Sequence, residues 1–169
     1  MRRLLDRLYD AAAWLAALAM IGVLAMVLLS IVSRQLGFNV PGTDAYAGYC
    51  MAAAGFLALA HTLKKNEHIR VTLFLGRLHG GARHALEMWA LSAGVVLGGL
   101  FAFYSVRLAW VSHRINDIST ANDATPLWLP QIAMALGTLV LLIALADEWV
   151  LELRGQRRTI DSEEALHNE

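Results

Sequence analysis

The sequence is poor in charge, cysteine and proline. Only 17% of its 169 residues are charged, against about a quarter in an average soluble domain. Neither sign is in excess, since 14 Lys plus Arg balance 14 Asp plus Glu. That balance excludes a nucleic-acid-binding surface, which needs a basic surplus. A single cysteine, Cys50, excludes an internal disulfide. Three prolines and an ordinary glycine content leave no low-complexity segment and no long linker. The chain has room for one compact unit.

What is present is long apolar runs. A membrane-spanning helix needs about 20 mostly apolar residues, because the hydrocarbon core is about 30 Å thick. Residues 11–33 carry no charge. Residues 45–63 are uncharged, with His61 near their end. Residues 88–110 carry one charge, Arg107, three residues from the end. Residues 127–146 carry none. A soluble protein would need a large polar shell to cover four such helices, and too few residues remain to build it. The expected fold is an all-α integral membrane protein: one four-helix transmembrane domain over 1–153 and a cytoplasmic tail over 154–169. The first run follows Arg2, Arg3 and Arg7, as in a secretory signal. It is much longer than the apolar core of a signal, about 7–15 residues, so it reads as an uncleaved anchor.

Basic residues set the orientation. Arg2, Arg3, Arg7, Lys64, Lys65, Arg70, Arg77, Arg83, Arg154, Arg157 and Arg158 fall on one side of the four spans. Only Arg34, Arg107 and Arg114 fall on or near the other. The positive-inside rule then predicts both termini and the middle loop in the cytoplasm. Tyr9, Trp14, Trp89 and Trp149 belong to the predicted inner interface. Tyr46, Tyr49, Trp110 and Trp128 belong to the outer one, as amphipathic rings prefer.

The first outer loop is short, with Gly37, Pro41 and Gly42, and Thr43 or Asp44 is expected to cap the second span. In the middle loop, Val71, Phe74, Leu75 and Leu78 have the spacing of one helical face. That predicts a short amphipathic helix lying in the inner interface, with Arg70 and Arg77 near lipid phosphates. The alternation over residues 69–73 leaves an extended linker as the alternative. The second outer loop, residues 111–126, is polar. It is either a docking surface, with Arg114 and Asp117 as its charged candidates, or a solvated connector.

Little points to chemistry. Pumps and coupled transporters keep ionisable groups at bilayer depth, and these runs hold none there. Arg107 is expected about one turn from a helix end, where it snorkels or joins an ion pair. Pro130, near the start of the fourth span, is tolerated there. No two histidines have the i, i+4 spacing of a zinc motif. His61 alone motivates a haem-binding electron-transfer subunit, and no cofactor or metal is expected. Neither Ser30 nor Cys50 has a base nearby in sequence. Small residues are more informative. Ala90, Gly94, Gly98 and Ala102 recur every four residues, as do Ala133 with Gly137 and Gly48 with Ala52. Such stripes let helix backbones approach, within the chain or against a partner. The residues therefore describe a scaffold.

The run Gly42-Thr43-Asp44-Ala45-Tyr46-Ala47-Gly48-Tyr49, then Lys64-Lys65-Asn66-Glu67-His68-Ile69-Arg70-Val71, resembles the small membrane subunit, DctQ type, of tripartite ATP-independent periplasmic (TRAP) transporters. Ser33-Arg34 and the Thr125-to-Pro130 stretch fit as well. Ala45 departs from the family pattern, where a second acidic residue stands. The resemblance implies a non-catalytic scaffold subunit beside a large permease subunit that carries the substrate and sodium sites. A periplasmic binding protein would deliver an organic acid to the pair. Asp44, Glu67, His68, Arg70, Gly94 and Gly98 are then the candidate subunit contacts.

Overall fold

A computed structural model describes residues 2–38, 40–64, 81–121 and 123–154. The expected interfacial helix, with Glu67, His68 and Arg70, lies outside the described residues, as does the tail from 155 onward. Four helices account for nearly everything described: α1 (Arg2–Gln35), α2 (Thr43–Lys64), α3 (Gly81–Arg114) and α4 (Trp128–Leu153). Each is long and apolar enough to cross a membrane. No strand is present among the described residues, only an isolated bridge between Ile118 and Pro126.

Three helices outrun their apolar stretches. α1 and α3 have 34 residues each, about 51 Å at 1.5 Å per residue, whereas the 22 residues of α2 reach about 33 Å. The extra turns carry charge, because a helix ends where its backbone is capped and not where its side chains become polar. α1 stops at Gly37, which has φ +72°. There the Phe38 amide donates to the Ser33 carbonyl at 3.1 Å and the Gly37 amide to the Arg34 carbonyl at 3.4 Å. This is a Schellman ending. α3 closes in the same way at Asn116, φ 50°, with Asp117 donating to Ser112 at 2.9 Å and Asn116 to His113 at 3.4 Å. The expected cap of α2 is corrected by one residue. The Gly42 carbonyl accepts the first helical bond, from Tyr46 at 3.0 Å, so Gly42 is the cap and Thr43 and Asp44 lie in the first turn.

The helices stand in a row. α1 packs on α2, α2 on α4 and α4 on α3, leaving α1 and α3 at the two edges. α1 also touches α4 lightly, where buried Tyr9 packs with Ala60 and Ala144. The tightest seam joins α2 and α4. A Cβ placed on Gly137 would lie 2.5 Å from the backbone C and O of Phe56, so the two backbones are in direct contact. Beside it, the Phe56 and Phe101 rings meet at 5.7 Å. Hydroxyls inside the row bond to their own helices: Thr138 donates to the Ala135 carbonyl, Thr62 to Ala58 and Leu59, and Ser33 to Ser30. Such back-bonding satisfies a polar group without water.

The outer faces are apolar. Trp14 is 74% exposed, Trp89 71% and Leu97 66%, among many large side chains on α1 and α3. In water this surface would be an aggregation liability. In lipid it is the solvent-matched face. Trp89 and Trp110 on α3 are 21 residues apart, as are Trp128 and Trp149 on α4. That is about 32 Å along a helix, close to the hydrocarbon thickness of about 30 Å. The aromatic pairs thus bracket one apolar belt on two antiparallel neighbours.

Candidate functional site

The polar groups gather at the two ends of the row. At the end where α1 starts and α4 stops, α1 and α2 are joined by ion pairs. Lys64 pairs with Asp6 and also sits 4.9 Å from the centre of the Tyr9 ring. His61 Nδ1 lies 3.9 Å from Asp10. Helices α3 and α4 are joined there by His84 Nδ1, 2.8 Å from the buried Glu152 carboxylate. The Trp149 indole donates to Ser92 Oγ at 2.9 Å. The exposed Lys64–Asp6 pair contributes under about 1 kcal/mol, so it sets helix register more than stability.

The other end carries the two short loops. The second loop is folded back on itself. Its Ser119 amide donates to the Thr125 carbonyl at 2.8 Å, and the Leu127 amide to the Asp117 carbonyl at 3.0 Å. It is also fastened to α2. Tyr49 Oη lies 2.9 Å from Ser119 Oγ and 3.1 Å from the Asp123 carboxylate. Thr125 Oγ1 lies 3.0 Å from Tyr46 Oη, and the two tyrosine rings meet edge-on at 6.0 Å. The Thr125 hydroxyl, against a smaller opposing push from burial and with help from Ser119 and Tyr49, holds the Asp123 carboxyl below its ordinary value of 3.8. The approach is close because Gly42 has no side chain: a Cβ there would lie 2.7 Å from Asp123 Cβ. Beside this latch, a cavity of about 520 Å³ opens between the loops, lined in part by Arg34, Pro41, Asp44 and Ala121.

The sequence candidates divide as follows. Asp44 is exposed in the first turn of α2. Arg114 is exposed at the last residue of α3, and Asp117 is half-buried in the latched loop. Gly94 and Gly98 face Leu145 of α4, at 3.5 and 2.9 Å from where a Cβ would stand. Their stripe therefore serves the chain's own α3–α4 seam. Gly48 has open space on its side. Arg107 is exposed and sits two turns from the end of α3, because α3 runs past Trp110 to Arg114, while it remains about one turn from Trp110 as expected. His61, His84 and His113 lie near helix ends, and each has a protein neighbour, His113 against the Trp128 ring at 5.1 Å. That is not the geometry of a haem held between helix centres. Among the described residues no cluster of three His, Cys, Asp or Glu is placed to hold a metal ion.

Sequence reading missed the latch, because Tyr49 and Asp123 are 74 residues apart and no local period links them. It also missed the buried Tyr9, which was read as an interfacial ring.

The family model for tripartite ATP-independent periplasmic transporters, DctQ component, matches residues 23–155. The chain belongs to the DctQ family. No curated protein matches it. The match begins inside α1 and runs past the end of α4, so it covers α2, α3, α4 and the latched loop and leaves out the contacts of Asp6, Tyr9 and Asp10 near the start of α1. DctQ proteins are components of a transporter and not an enzyme class. With four helices able to span and this family, the chain is a multi-pass membrane protein, the small permease component of a TRAP transporter.

Proposed function

We propose that this DctQ chain is the fixed scaffold of a sodium-coupled importer of an organic acid. It works in the bacterial inner membrane beside a large permease subunit and with a periplasmic substrate-binding protein. One observation carries the reading. The ionisable groups of the described helices lie near the ends of the row, and Arg107 is the only charge between Trp89 and Trp110. A carrier that binds ions or moves protons keeps such groups at mid-depth. The rigid seam at Gly137 and the short, latched loops suit a frame more than a moving part.

The excess of basic residues where α1 starts and α4 stops supports a cytoplasmic position for that end, with residues 1–153 as one membrane unit and 154–169 as a cytoplasmic tail. The latched loop then faces the periplasm, where Arg114 and Asp117 are offered to the binding protein. Asp44, beside the cavity, and Glu67, His68 and Arg70 at the opposite interface are contact candidates for the large subunit. An amphipathic helix at residues 67–78 braces that subunit from below. Gly94 and Gly98 support assembly indirectly, by setting the α3–α4 spacing. Purification of the tagged chain from native membrane in mild detergent tests this. A second polytopic protein is expected at equal stoichiometry, and a chain that emerges alone would remove the proposal.

A further inference from the structure

Arg107 lies in the middle of an apolar face. Helix α3 packs on α4 through Gly98, Ala102, Ser105 and Ser112, the last three each 2% exposed. At about 100° per residue, Arg107 projects about 180° from that strip. It shares the outward face with Leu100, Phe103, Trp110 and Val111, all exposed. No described residue pairs with its guanidinium. Trp110 marks the edge of the apolar belt, and Arg107 is three residues inside it, about 4.5 Å deeper. An unpaired guanidinium at that depth is costly unless an anion reaches it. The helix adds a constraint. Side chains leave an α-helix tilted toward its N-terminus, which for Arg107 is toward the middle of the membrane. The group must turn back to reach the headgroups, or a headgroup must come down to it.

We propose that Arg107, with Trp110 beside it, binds the phosphodiester of a single glycerophospholipid with an anionic headgroup in the leaflet at the loop end. The guanidinium offers paired donors that match phosphate oxygens. The flanking aromatic and aliphatic side chains line the path of the acyl chains. Among anionic headgroups, one without an amine, such as glycerol, is favoured because it carries no ammonium to neutralise its own phosphate. The site uses only the membrane-spanning geometry and is independent of which substrate the transporter carries. Arg114, two turns further out on the same face at the last residue of α3, lies beyond Trp110 and is not part of it.

The full chain, with the subunits that accompany it, is exchanged into nanodiscs of equimolar phosphatidylglycerol and phosphatidylcholine. Retained lipid is then counted by native mass spectrometry. Wild type is expected to retain phosphatidylglycerol over phosphatidylcholine by about tenfold, the scale of one charge-assisted contact. Arg107→Gln loses that preference, Arg107→Lys keeps part of it, and Arg114→Gln keeps it whole. Wild-type protein with no preference overturns the proposal, even if Arg107→Gln fails to fold. So does an Arg107→Gln protein that retains phosphatidylglycerol as wild type does. Loss of an accompanying subunit with lipid retention unchanged also overturns it, by assigning Arg107 to a protein carboxylate.

Discussion

Replacing Gly137 by alanine probes the tightest point of the frame. The added Cβ would lie 2.5 Å from both the C and O of Phe56, about 1 Å inside ordinary contact distances between heavy atoms. The obstacle is backbone, so no side-chain rotation relieves it. Helices α2 and α4 must separate by a comparable amount, and the Phe56–Phe101 ring contact at 5.7 Å moves with them. Overpacking of this kind costs about 1–3 kcal/mol. Against it stands a gain of about 0.5–1 kcal/mol from replacing a glycine inside a helix. Gly48→Ala carries that gain alone, because nothing stands on its side. The two variants should therefore move in opposite directions. Reversible unfolding in mixed micelles, followed by tryptophan fluorescence, measures both. Gly137→Ala should unfold at lower denaturant than wild type, and Gly48→Ala at equal or higher denaturant. A Gly137→Ala protein as stable as wild type would refute the claim that α2 and α4 touch backbone to backbone.

Further outcomes follow from the other seams. Gly98→Leu should lower stability by about 1–3 kcal/mol, and Leu145→Ala should restore part of it, since the Leu145 side chain occupies that space; a double-mutant cycle measures the coupling. Tyr49→Phe should raise amide hydrogen exchange in the second loop at neutral pH while leaving the helices unchanged, because it removes the hydroxyl between Ser119 and Asp123. The Asp123 latch should weaken in acid. Its carboxyl titrates below 3.8 when folded, so its contribution is full above 3.8 and is lost as pH falls through the lower folded value. Protection of the loop amides, taken as the ratio of intrinsic to observed exchange rate, should fall on going from pH 5 to pH 3, and Asp123→Asn should flatten that change; a loop whose protection is insensitive to pH in wild type would contradict the latch.

The sequence placed the four spans well and their ends poorly. Spans are visible because a bilayer excludes charge, so uncharged runs mark them directly. Ends are set by backbone capping, which is why α3 continues past Trp110 to Arg114 and closes at Asn116. The same extension leaves Arg107 two turns from the helix end, although it stays three residues inside Trp110. The small-residue stripes were visible, but not their partners. Gly98 meets Leu145, Gly137 meets Phe56, and Gly48 meets none of the described residues; all three look alike as sequence. The latch was out of reach, because it joins Tyr46 and Tyr49 of one hairpin to Ser119, Asp123 and Thr125 of the other.

The central claim is that this chain frames a transporter and does not carry the substrate. Reconstitution into liposomes under an inward sodium gradient tests it most directly. With the large permease subunit and the binding protein present, uptake of an organic acid is expected. The chain alone should give no uptake above that of empty liposomes. Sodium-driven uptake by this chain alone would contradict the account.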